Sequence, residues 1–123
     1  MSDFRFEDLE VWKDAVKLSI ELYKLTEQLR VNKRYSAADQ MFRAFLSITN
    51  NIAEGAGSAS SRDFANFLNI SRRSIFECAN MILLFYEMDL LSDNEKDRLI
   101  SNLRDLSKKI YYFRLKLLSN TSS

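Results

Sequence analysis

The side chains in this sequence that could do chemistry are acids, lysines, arginines, scattered hydroxyls and one thiol; among its 123 residues there is no histidine. That absence excludes a Ser-His-Asp triad, a Cys-His dyad and a His-ligated zinc site. Cys78 falls between Ile75 and Ile82 on one helical face, where a cysteine packs as a small hydrophobe. Without a histidine to depress its pKa it is no nucleophile. A single cysteine also forms neither an internal disulfide nor a CxxC pair, which fits a reducing compartment. Two glycines, Gly55 and Gly57, are too few for a GxGxxG or Walker loop. Di-metal sites in helical bundles need inward-facing Glu-x-x-His units, whereas Glu54 and Glu77 fall on polar faces. At most a carboxylate-only site for a hard cation is left. No enzyme, metal or cofactor is expected.

Basic residues offer a different chemistry. Residues 91–123 carry a surplus of three positive charges, whereas residues 1–30 carry two more negative charges than positive, in a chain of net charge +1. Lysine and arginine track phosphates without reading sequence, so Arg104, Lys108, Lys109, Arg114 and Lys116 are candidate contacts to RNA or DNA. Solvation, and complementation of the helix dipole by cations late in a helix, account for the same residues without a ligand. Arg72 lies at the apolar edge shared by Phe76 and Ala79. It either snorkels to water or meets an acid from another helix or subunit, and an interface ion pair is the favoured reading.

The elements that position these groups follow from the apolar spacing. With no proline and two glycines the chain is poor in turn formers, so long helices are expected and the fold class is all-α. Four helices are predicted at about 7–30, 35–57, 61–89 and 92–118. The first carries Val11, Ala15, Leu18, Leu22, Leu25 and Leu29 at spacings of 4, 3, 4, 3 and 4, the seam of a helix packed along its length. The second buries Ala38, Met41, Phe42, Phe45, Ile48, Thr49 and Ile52. Ser36 with Asp39 has capping-box spacing at its start, and Gly55 and Gly57 are placed to end it through a left-handed residue. Ser60 with Asp63 opens the third helix and Ser92 with Glu95 the fourth. Short connections between long helices predict an antiparallel up-down-up-down four-helix bundle in one domain.

One helix has more apolar surface than such a bundle needs. Leu9, Trp12, Val16, Ile20 and Tyr23 form a second stripe on the first helix, about 100–180° around from its seam. They are the candidate subunit interface, so a homo-oligomer is expected. The opening residues lack an apolar core of signal-peptide type, and the longest apolar run, Met81 to Tyr86, is far short of the roughly 20 residues that span a bilayer. A cytoplasmic chain with no membrane partner is expected.

Two stretches carry a signature. The first is Phe6-Glu-Asp-Leu-Glu-Val-Trp-Lys-Asp-Ala15. The second is Gln40-Met-Phe-Arg-Ala44, continued by Ser47-Ile-Thr-Asn-Asn-Ile-Ala-Glu-Gly55 and Asp63-Phe-Ala-Asn-Phe-Leu68. Together they resemble the four-helix-bundle family named for proteins encoded in 23S rRNA intervening sequences. That family is similar to the accessory variability determinant of diversity-generating retroelements. The resemblance implies a ring-shaped homopentamer without enzymatic activity, with nucleic acid bound by some relatives through basic surfaces. It also marks Trp12, Arg43, Asn51, Glu54 and Gly55 as motif residues, read here as structural: Arg43 and Glu54 share a helix face and are expected to bridge neighbouring elements. The sequence departs from the family pattern after Glu54-Gly55, where no basic residue follows. The reading is therefore a self-assembling binding module for nucleic acid, with a structural or adaptor protein that docks another protein as the alternative.

Overall fold

A computed structural model of the chain describes residues 4–120. Its helices are α1 (Glu10–Val31), α2 (Tyr35–Ala56), α3 (Ser61–Glu87) and α4 (Asp93–Ser119), and no strand occurs among the described residues. The six residues of the α1 seam are all buried, as their spacing requires. They meet Met41, Ile48 and Ile52 of α2, Leu68, Ile75 and Ile82 of α3, and Leu99, Leu103 and Ile110 of α4 in one core. Each such side chain contributes about 1.5–3 kcal/mol by leaving water.

The helix ends correct several expectations. The first helix begins at Glu10 rather than near residue 7, because Arg5–Asp8 form a short 3-10 turn and Leu9 is extended. This detour folds Phe6 back onto Trp12, with ring centroids 5.1 Å apart. Neither glycine is left-handed. That conformation falls instead to Lys33 (φ 62°) and Asp89 (φ 61°). At the end of α1 the Arg34 N–H donates to the Leu29 carbonyl and Lys33 to Arg30; at the end of α3 Leu90 donates to Phe85 and Asp89 to Tyr86. Both are Schellman closures, which satisfy carbonyls the helix leaves free.

Gly55 lies inside α2 and is buried for another reason. A Cβ there would stand 2.8 Å from both Phe64 Cδ1 and Phe67 Cβ of α3. Its missing side chain is what lets the two helices approach. After it, the Ser58 hydroxyl donates to the Gly55 carbonyl at 2.6 Å and closes the turn.

The Ser36–Asp39 capping box does not form. α2 starts at Tyr35 as expected, but its N-cap is Arg34 rather than Ser36, with no side-chain cap, and the Asp39 carboxylate pairs with Arg30 across the turn at 2.9 Å. The Ser92–Glu95 box is complete, and the Ser60 hydroxyl accepts from the Asp63 N–H.

Around the bundle, α1 neighbours α2 and α4, and α3 neighbours α2 and α4; α1 and α3 face each other diagonally across the core, as do α2 and α4. The α1/α2 flank and the α3/α4 flank therefore lie on opposite sides.

Candidate functional site

The five candidate basic residues of α4 do not converge. At 100° per residue they scatter around the helix, and their neighbours differ accordingly. Lys109 Nζ turns to α1 and binds Asp14 at 2.7 Å and Glu10 at 3.0 Å. These two hydrogen-bonded carboxylates raise its pKa above the ordinary lysine value. Arg114 is half-buried and donates from Nε to the Ala65 carbonyl of α3 at 3.1 Å. Lys116 is exposed on the last turn. Arg104 and Lys108 stand on the α3 side, where they join Arg72 at the rim of a groove of about 370 Å³ between α3 and α4.

That groove is apolar inside. Ile75, Phe76, Ala79, Leu83 and Ile100 line it, and no acid does. Phe76 is 58% exposed and Leu83 47%. By spacing alone both extend the third-helix seam sideways. The signal that separates them is the i, i+3, i+7 recurrence of Phe76, Ala79 and Leu83, which gives α3 an apolar arc wider than one seam. Arg72 meets no acid within the chain. Its guanidinium is instead sandwiched 5.0 Å from the Phe76 ring centroid and 5.1 Å from that of Tyr111. Such stacking suits the planar arginine head. Its buried Nε has no hydrogen-bond partner.

The opposite flank holds the second stripe of α1. Trp12, Val16, Ile20 and Tyr23 line a groove of about 440 Å³ with Phe42 and Thr49 of α2. Ile20 is 52% exposed and Tyr23 46%. Trp12 is half-buried against Phe6 and the core, so it serves the fold as well as the surface. Leu9 leaves the set: as the extended residue before α1 it lies with Tyr112 and Phe113, in a hollow between α1 and α4. Phe42, expected in the core, is only half-buried and stands edge-on to Tyr23 at 6.4 Å. Ser19 lines this groove, and its buried hydroxyl also lacks a partner.

Of the motif residues, Trp12 packs on Phe6 and Gly55 on Phe64 and Phe67. Arg43 and Glu54 are exposed and bridge no neighbouring element among the described residues. Asn51 Nδ2 donates to Ser47 within its own helix, at 2.8 Å to the carbonyl and 3.0 Å to the hydroxyl. The α2/α3 seam is tied by Ser71, which donates to the Ile48 carbonyl at 2.8 Å, and by Ser74, 2.7 Å from the Ser47 hydroxyl. Burial pushes the Cys78 thiol up to about 12, so its thiolate is not available at neutral pH. No group of three or more potential metal ligands occurs among the described residues.

The profile of a family described as "23S rRNA-intervening sequence protein" matches residues 7–112. The chain belongs to this family. Among solved structures it is similar to a Bacteroides thetaiotaomicron protein described as of unknown function, from the S23 ribosomal protein family. That similarity has a TM-score of 0.81 and 19% identity, over 85% of this chain and 97% of the other. At that identity the likeness shows a shared fold. No curated protein matches the sequence. No helix among the described residues is long and apolar enough to cross a membrane.

Proposed function

We propose that this member of the 23S rRNA-intervening sequence family is a non-enzymatic, cytoplasmic, homo-oligomeric binding module, built as an antiparallel up-down-up-down bundle and acting as a structural or adaptor assembly. The antiparallel order is supported by pairings that run in opposite directions: Gly55 late in α2 faces Phe64 early in α3, and Gln40 early in α2 reaches Glu77 late in α3. The observation that carries self-assembly is the open apolar groove of Trp12, Val16, Ile20, Tyr23 and Phe42, since contiguous apolar surface of this kind marks an interaction site. The ring of five that the family resemblance implies is one such assembly. Light scattering tests it: the wild-type mass is expected at several times the 14.4 kDa of one chain. A single-chain mass would refute self-association.

Docking of another protein is the favoured use of the assembly, because Lys109 and Arg114 are already engaged within the chain and Arg104 and Lys108 rim an apolar groove. Binding of RNA or DNA is the second reading. It is favoured by Arg104, Lys108 and Lys116, which make no ion pair among the described residues. Retention of structured RNA or duplex DNA at about 50 mM salt, lost as salt rises, would restore it to first place.

A further inference from the structure

We propose that the groove between α3 and α4 receives an acidic amphipathic helix of a different protein. This rests on the docking reading above and adds which surface is used and what chemistry the partner carries.

The groove has two unlike ends. Arg72 of α3 stacks on Tyr111 of α4, which sets these residues at one level. With the two helices antiparallel, eleven residues along α3 leads to Leu83 and eleven residues back along α4 leads to Ile100, and both line the far end. At 1.5 Å per residue the ends lie about 16 Å apart, three helical turns. Arg72 and Lys108 mark the first end and Arg104 stands between, whereas no charged side chain lines the groove beside Leu83 and Ile100.

The interior suits a helix. Phe76, Ala79 and Leu83 form one wall, and Ile75, Ile100 and Leu103 complete the apolar lining. A slot of this length between two packed helices accepts a third, which lays its own apolar residues at i, i+3 and i+7 into it. Phe76 and Leu83, each about half exposed, are the surface it would cover.

The rim suits acids. Arg72, Arg104 and Lys108 make no ion pair among the described residues, and no acid lines the groove. Phe76 and Tyr111 hold the Arg72 head in place, and its Nε is buried without an acceptor. A cation fixed before contact loses little side-chain freedom when a carboxylate arrives. A second copy of this chain does not supply that carboxylate on an apolar surface. Its α1/α2 groove is lined by no charged residue, and Glu10, Asp14 and Glu21 of α1 are held by Lys109 and Arg98 of α4. The complement is therefore a foreign helix with one apolar face and acids gathered at one end of it.

Selection from a random peptide library tests the assignment. The full chain is immobilised and offered displayed peptides of about 16 residues, some four turns of helix. Recovered sequences should share apolar residues at i, i+3 and i+7 with Asp or Glu clustered beyond one end. The consensus peptide is then labelled and titrated by fluorescence anisotropy. Leu83→Glu, and separately the exposed pair Arg104→Gln with Lys108→Gln, should each weaken binding about tenfold or more, with circular dichroism verifying that the variants fold. Raising salt from about 50 to 500 mM should weaken wild-type binding and affect the Arg104/Lys108 variant less. A consensus without acids, or a consensus peptide that binds Leu83→Glu as tightly as wild type, would overturn the assignment while docking at another surface stands. Recovery of no peptide would overturn the docking reading together with this inference. A fall in oligomeric mass caused by Leu83→Glu would show that another copy closes the groove, and would overturn it too. So would structured RNA that competes with no peptide yet is lost in the Arg104/Lys108 variant, because the rim would then be a phosphate surface.

Discussion

The α2/α3 seam and the α1/α4 seam join neighbouring helices by opposite means. Between α2 and α3 the contacts are short: Gly55 against Phe64 and Phe67, Ser71 on the Ile48 carbonyl, Ser74 on Ser47. Small residues let the backbones approach, and their hydroxyls are satisfied inside the seam. Between α1 and α4 the contacts are long. Lys109 reaches Glu10 and Asp14, Arg98 reaches Glu21 at 3.1 Å, and a cleft of about 290 Å³ lined by Asp14, Glu21, Asn102 and Asp105 lies between the helices. The tight seam depends on shape and tolerates little change in volume. The open seam depends on solvated charge, which contributes little and responds to salt.

The largest effect is expected at the tight seam. Gly55→Ala places a methyl group where Phe64 and Phe67 already stand, and neither contact is the free end of a flexible chain. Overpacking of this kind costs about 1–3 kcal/mol, more than alanine's helix preference of about 1 kcal/mol returns. Gly57→Ala is the control, since a Cβ there meets only backbone oxygens at 3.6 and 3.8 Å. Urea denaturation should show a clear loss for the first and near neutrality for the second. Equal behaviour would mean that α2 and α3 are not closely apposed at Gly55.

Ser71→Ala should cost less, about 0.5–1.5 kcal/mol, because it removes one buried hydrogen bond and leaves a carbonyl that still serves its own helix. The same urea titration measures it, and a loss above that of Gly55→Ala would reverse the ranking of shape over hydrogen bonding.

Lys109→Met at the open seam should change stability least. Its raised pKa fixes the sign of any pH effect: the contribution is complete below the ordinary lysine pKa and is lost as pH rises through the higher folded value. The difference in melting temperature between wild type and variant should thus be small and constant from pH 6 to about 9, and should shrink in about 1 M salt. A large salt-independent loss would make the α1/α4 seam a second rigid contact rather than a solvated one.

Much of the fold was legible in the residues. The 4-3-4-3-4 spacing of α1 and the Ser92–Glu95 box are local signals, and the α1 seam and the start of α4 lie where they point. Gly55 was misread because a helix end and a close approach both select glycine, and only Phe64 and Phe67 of the next helix distinguish the two, whereas Gly57 does end α2, though without a left-handed backbone. Leu9 was misread because the stripe was extended through the residue that caps α1, whose backbone is extended rather than helical. Of the candidate cations, Lys109 and Arg114 were alike in sequence to Arg104 and Lys108, yet the rotation of α4 against α1 and α3 gives them internal partners.

By itself, then, the sequence determined that the chain is all-α, where most of its helices begin, which face of each is buried, and that histidine chemistry is absent. These depend on periodicity and on residue types within a few turns of one another. Only the tertiary structure decided which apolar stripes stay open and which charges are already paired. Those outcomes depend on the side chains of adjacent helices: α4 gives Lys109 its reach to α1, and α2 leaves Ile20 and Tyr23 half uncovered.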